Sequence, residues 1–128
     1  MAKVTKIYLN NEKYNTLKMG GETFGIAQQS LAHIDLADYV SLEETTSWVS
    51  STEWEFMFEN NSDRVVHVYA DMYVEDSDGD GNSTTYDEDV APGDCLYLYI
   101  ESADTEISTA MMDLTATAEN ADDYSYSY

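Results

Sequence analysis

The stretch TEWEFMFENNSDRVVHVYADMYVED, residues 52–76, decides the fold. Trp54, Phe56 and Phe58 alternate with Glu53, Glu55 and Glu59, the period of two expected of a strand with one buried and one wet face. NNSD (60–63) supplies turn formers. RVVHVYADMYVED (64–76) then reads as a long strand, with Val66, Val68, Ala70, Met72 and Val74 on one face and Val65, His67, Tyr69, Asp71 and Tyr73 on the other.

The same signals continue outward from this centre. An acidic loop leads to TTYDEDV (84–90), APGD (91–94) turns, and CLYLYIES (95–102) is a second strong strand. TEISTAMMDLTATAEN (105–120) fits helix or strand, and its Thr and Ile content favours strand. ADDYSYSY (121–128) reads as a polar-aromatic tail. On the other side, VTKIYL (4–9) is strand-like, NN (10–11) turns, and KYNTLKM (13–19) returns before Gly20-Gly21; residues 22–42 read as a linking segment with a short helix. Short strands at regular spacing predict an all-β fold, an antiparallel β-sandwich of immunoglobulin-like or jelly-roll type with an extended N-terminal arm. The expected division is an arm over 1–21, a sandwich over 22–120 and a tail over 121–128. A chain of 128 residues is one ordinary domain, long enough to bury a core.

Five Lys+Arg stand against 26 Asp+Glu, a formal net charge of −21. That balance argues against non-specific binding of the body to nucleic acid or to anionic membranes. It also means self-repulsion at low ionic strength, as in proteins adapted to salty media or in chains with a solubility surplus. The charge is segregated. Lys3, Lys6, Lys13 and Lys18 against Glu12 give the first eighteen residues a net +3, while the only later cation is Arg64. A basic arm on an acidic body favours contact between the two, within one molecule or between neighbours.

Cys95 is the single cysteine, so no disulfide forms within the chain, and no catalytic-cysteine signature surrounds it. No apolar run reaches the length of a membrane span or of a signal peptide, and a chain made in a cytoplasm is expected. His33 and His67 lie in no recognisable nucleophile motif, and adjacent carboxylates such as Glu43-Glu44 and Asp122-Asp123 read as a solvated face. No enzyme is expected.

Asp76, Asp78, Asp80, Asn82 and Thr84 fall at positions one, three, five, seven and nine of a twelve-residue loop, with Gly81 at six and Asp87 at twelve. Calcium takes six to eight oxygens and needs a glycine-permitted sharp turn, so the spacing resembles that of an EF-hand calcium loop. Strand-like flanks and a short twelfth side chain depart from that pattern. The alternatives are a calcium clip at a hairpin tip and a wet acidic turn.

Tyr97 and Tyr99 alternate with Leu96, Leu98 and Ile100, and Tyr69 and Tyr73 do the same on the long strand. Apolar residues on both faces predict that both are covered, by core and by a subunit contact; the alternatives are ordinary core and surface tyrosines and a row that stacks sugar rings. FENNSDRVVHVYADMYVED followed by VAPGDCLYLYI is similar to small immunoglobulin-like or jelly-roll sandwiches. With its basic arm, tyrosine-rich end and lack of a catalytic set, the chain resembles structural proteins of tailed-virus particles such as capsid decoration proteins. The resemblance implies a homo-oligomer or a partner among capsid shell proteins, and residence in a virion. A surface filament assembled by strand exchange, at the cell surface, and a calcium-dependent carbohydrate-binding module are the alternatives.

Overall fold

The computed structural model describes residues 31–128, and these form an all-β antiparallel sandwich. The arm expected over 1–21, with Lys3, Lys6, Lys13 and Lys18, lies outside the described residues. The strands among the described residues are β1 (Ile34–Asp35), β2 (Val40–Thr46), β3 (Glu53–Asn60), β4 (Val66–Asp76), β5 (Gly81–Val90), β6 (Cys95–Glu101), β7 (Ile107–Ala118), β8 (Ala121–Asp122) and β9 (Tyr124–Ser127). One sheet has the order β2-β3-β6 and the other β5-β4-β7-β9, while β1 and β8 make a short parallel ladder. Four strands against three is the division of seven-stranded immunoglobulin-like sandwiches, with β5 placed beside β4 on the larger sheet.

The alternation read from the sequence sets the layers. On β3, Trp54, Phe56 and Phe58 point inward, and on β4 the row Val66, Val68, Ala70, Met72 and Val74 meets them; all are buried. Leu98, Ile100, Met112, Leu114 and Ala116 complete one continuous core. Each fully buried side chain of this kind contributes about 1.5–3 kcal/mol relative to exposure.

Two expectations are corrected. The helix foreseen within 22–42 is, over the described part, a single 3-10 turn, Leu36–Asp38, capped by the Asp35 carboxylate on the Ala37 N–H, and β2 already begins at Val40. Residues 121–128 are no tail: β9 pairs antiparallel with β7, and Tyr128 continues the ladder by exchanging backbone hydrogen bonds with Met112. The reason is packing. Tyr126 meets Phe56 edge-on at 6.0 Å and Tyr128 meets Trp54 at 5.2 Å, so the tyrosines of YSYSY cap the aromatic end of the core while Ser125 and Ser127 stay outside.

One buried polar knot fixes the crossing from β3 to β4. The amide of Asn60, fully buried, donates to the carbonyls of Arg64 (2.8 Å) and Val90 (2.9 Å) and accepts from the N–H and hydroxyl of Ser62. Its backbone also bonds Gly93 and Asp94, which ties the NNSD turn to the APGD turn, where Gly93 takes φ +84°. Arg64 lies beside this knot, 4% exposed, with Nε on the Asp63 carboxylate and Nη1 on the Glu119 and Asn120 carbonyls.

Candidate functional site

The acidic turn between β4 and β5 brings together three of the six residues expected at a metal. Oxygens of Asp76, Asp78 and Asp80 lie within 4.8 Å of one another. Asp76 is 1% exposed, and its carboxylate already serves the backbone: Oδ1 accepts from the N–H groups of Asp78 (3.0 Å) and Asp80 (2.9 Å), and Oδ2 accepts from Thr105 (3.3 Å). Burial pushes this carboxyl up, yet the N–H groups of Asp80, Thr105, Asp78 and Asp104 together hold it below the ordinary 3.8. Gly79, at φ +88°, allows the turn to close.

Asn82, Thr84 and Asp87 do not join the cluster, because strand pairing continues to Gly81 where a calcium loop would have to curl. Asn82 lies opposite Val74 and its amide donates to the Glu101 carbonyl at 2.7 Å, a link from β5 to β6. Thr84 lies opposite Met72, and Asp87 lies opposite Tyr69, six residues further along β5 than Gly81. The EF-hand spacing is therefore overridden by ladder pairing, and the turn ends at residue 80.

His67 is the imidazole at the centre of a second cluster. Its Nδ1 meets Asp89 Oδ1 at 2.7 Å and its Nε2 meets Asp87 Oδ1 at 2.5 Å, both on the outer face of β4 and β5. The bond to Asp89, opposed by partial burial and aided by Asp87, raises the imidazole above 6.5. Sequence reading missed the pair because the partners lie on the next strand; the register His67↔Asp89 is what joins them. His33 bridges the side chains of Asn120 and Asp122 at 3.1 and 3.2 Å.

The four tyrosines read as contacts lie on two different surfaces. Tyr69 and Tyr73 stand on the outer face of the larger sheet, and Tyr97 and Tyr99 on the outer face of the smaller one. In the single chain Tyr69 is 45% and Tyr97 55% exposed, so the core alone does not cover these two rings. Tyr73 is laid over Gly81, where an added Cβ would come within 2.6 Å of its hydroxyl, so that glycine is a packing site. Tyr99 is half-buried and donates to Glu101 at 2.6 Å; that bond, with burial and the fields of Glu101, Glu53 and Glu55, pushes its phenol up to about 12.

Around Tyr97 the smaller sheet shows an acidic rim. The register sets Glu53 opposite Glu101, Glu55 opposite Tyr99, Met57 opposite Tyr97 and Glu59 opposite Cys95, while Glu43 faces Met57 from β2. The larger sheet bears a shallow depression of about 260 Å³ that includes Asp71, Tyr73, Met111 and Asp113 in its walls, and a second of about 230 Å³ lies by Ile34, Tyr39 and Asn61–Asp63. Among the described residues no helix is long and apolar enough to cross a membrane.

No family model matches the sequence, and no curated protein matches it. Among solved structures, the chain is similar to Northeast Structural Genomics Consortium target SoR45, at 11% identity and a TM-score of 0.39, over 73% of this chain and 86% of that one. It is also similar to the putative ApaA protein of Bordetella pertussis, at 10% identity and a TM-score of 0.33, over 69% of this chain and 83% of that one. Both scores lie below the level that implies a shared fold.

Proposed function

We propose that this protein is a non-enzymatic assembly protein, and that its setting is the one its sequence style resembles, a virus particle whose capsid or tail it decorates or stabilises. One observation carries the reading: the outer faces of both sheets present exposed apolar side chains over a buried core, Tyr69 and, beside Tyr73, Met111 on one, and Tyr97, opposite the half-buried Met57, on the other. Exposed aromatic side chains on strand faces without a deep cleft favour a contact surface over a reaction chamber. Its partners are copies of the same chain or a capsid shell protein. Apolar contact supplies affinity, and the separation of a basic arm from an acidic body sets orientation. Calcium in this reading is a local clip at Asp76, Asp78 and Asp80, where it neutralises a hairpin tip.

The test is the molar mass of the purified full chain by light scattering in high salt, beside a variant lacking residues 1–18. A discrete closed oligomer that is lost on deletion, with circular dichroism of the sheet unchanged, is the expected result. A strict monomer across concentration overturns assembly by self-contact. A second reading, glycan binding, draws on the outer face of the larger sheet. There Asp71 and Asp113 sit directly opposite one another, held by the Thr85 and Ser127 hydroxyls at 2.8 and 2.7 Å, two residues from Tyr69. A glycan array distinguishes it.

A further inference from the structure

The outer face of β2-β3-β6 is acidic without any cation of its own. All but Glu12 and Glu22 of the 26 acidic residues lie in 31–128, and the only Lys or Arg there is Arg64, buried beside the polar knot with its guanidinium on Asp63, Glu119 and Asn120. On this face Glu53 and Glu101 stand directly opposite, with Glu55 two residues from Glu53 on the same side. Like charges opposite each other on neighbouring strands oppose sheet formation. The larger sheet meets the same difficulty differently: its own imidazole, His67, sits between Asp87 and Asp89. Among the described residues no cation serves the glutamates of the smaller sheet, whose side-chain partners are neutral hydroxyls: Thr45 on Glu55, Tyr99 on Glu101 and Ser41 on Glu59.

The face also offers something to a lysine beyond charge. Met57 and the exposed Tyr97 form an apolar centre between the glutamates, with Tyr99 beside them. A lysine stem lies along such a surface while its ammonium reaches the acidic rim or the ring face. All the lysines of the chain, Lys3, Lys6, Lys13 and Lys18, are in its first eighteen residues. Eighteen extended residues reach about 60 Å, more than enough to cross a strand of eight residues.

We propose that the glutamate-rimmed outer face of β2-β3-β6, centred on Tyr97, is the docking site for residues 1–18 of a neighbouring copy. This rests on the assembly reading above and names its contact. The ion pairs are exposed at the rim, so they set register and salt dependence, while the covered Met57–Tyr97 centre supplies the affinity.

The chain carries its own reporter, because Cys95 is its only thiol and lies on this face opposite Glu59. An amine-to-thiol cross-linker applied to an equal mixture of nitrogen-15-labelled and unlabelled full chain is read by mass spectrometry, with light scattering alongside. The expected product joins Cys95 of one chain to a lysine of residues 1–18 of the other. Replacing Glu53, Glu55 and Glu101 together by Lys lowers both its yield and the oligomer by about tenfold or more, while Asp123→Lys, an equal charge change per site elsewhere, leaves both unchanged. The wild-type cross-link is a readout that does not depend on the triple variant folding. An oligomer without links at Cys95, or with links only inside one chain, overturns the docking face and leaves assembly standing. A chain that is monomeric at every concentration overturns both.

Discussion

The Tyr86 hydroxyl on β5 donates to the Tyr99 carbonyl on β6 at 3.0 Å and accepts from the Tyr99 N–H at 3.1 Å. One side chain thus supplies a donor and an acceptor to the edge of the other sheet, where a neighbouring strand would otherwise pair. The Asn82 amide adds one more donor, to the Glu101 carbonyl at 2.7 Å. Together they blunt the β6 edge, the exposed feature by which sheets add strands from other molecules.

Removing that hydroxyl tests the argument. Tyr86→Phe keeps the ring in place and leaves the Tyr99 backbone groups without this partner, so a loss of about 1–3 kcal/mol is expected in urea unfolding. The freed edge should also raise aggregation on heating. Unchanged stability would mean that water serves the edge equally well.

Asn60 is predicted to be the most sensitive polar position. Asn60→Ala strips partners from the Arg64 and Val90 carbonyls and from Ser62 at a fully buried site, and about 3 kcal/mol or more of stability should be lost. Asn60→Asp keeps the acceptor toward Ser62 but brings a buried carboxylate against two carbonyls, and it should fare no better at neutral pH. Chemical denaturation of the three proteins decides this, and a loss under about 1 kcal/mol for Asn60→Ala would contradict the knot's role.

Two groups set opposite pH limbs. His67 is raised above 6.5 in the folded chain, so its ion pairs stabilise fully below that value and the contribution disappears as pH rises through the folded pKa. Asp76 is held below 3.8, so its contribution is present above that value and is lost as pH falls through the folded pKa. Thermal stability should therefore be highest between these limits. The His67→Gln chain should lose the decline on the neutral side while keeping the acid limb, and an unaltered profile would show that His67 is uncoupled from folding.

What the sequence makes legible follows from the range of each signal. Trp54, Phe56 and Phe58, and the inward row of β4, were legible because a period of two is local. The end of the chain was misread although YSYSY has the same period, because it contains no aliphatic residue; its tyrosines pack against the core only when β7 brings them beside Trp54 and Phe56. The strands that carry Tyr69, Tyr73, Tyr97 and Tyr99 were legible, but how exposed each ring is was not, since exposure depends on which sheet a strand joins. His67 with Asp87 and Asp89 was invisible for the same reason: register is a property of two strands.

The acidic turn offers the last prediction, and it separates the twelve-residue reading from the shorter one. If calcium binds through Asp76, Asp78 and Asp80 alone, millimolar calcium raises the melting temperature, Asp78→Ala removes the rise, and Asp87→Ala leaves it intact because Asp87 faces His67 on the strand. Asp78 is the informative member: its side chain is exposed, whereas Asp76 holds the turn's backbone and its loss would lower stability with or without the ion. A rise abolished by Asp87→Ala would restore the longer loop and contradict the pairing of β4 with β5. No rise in the parent chain would leave the Asp76 carboxylate as the clip, satisfied by backbone N–H groups and needing no metal.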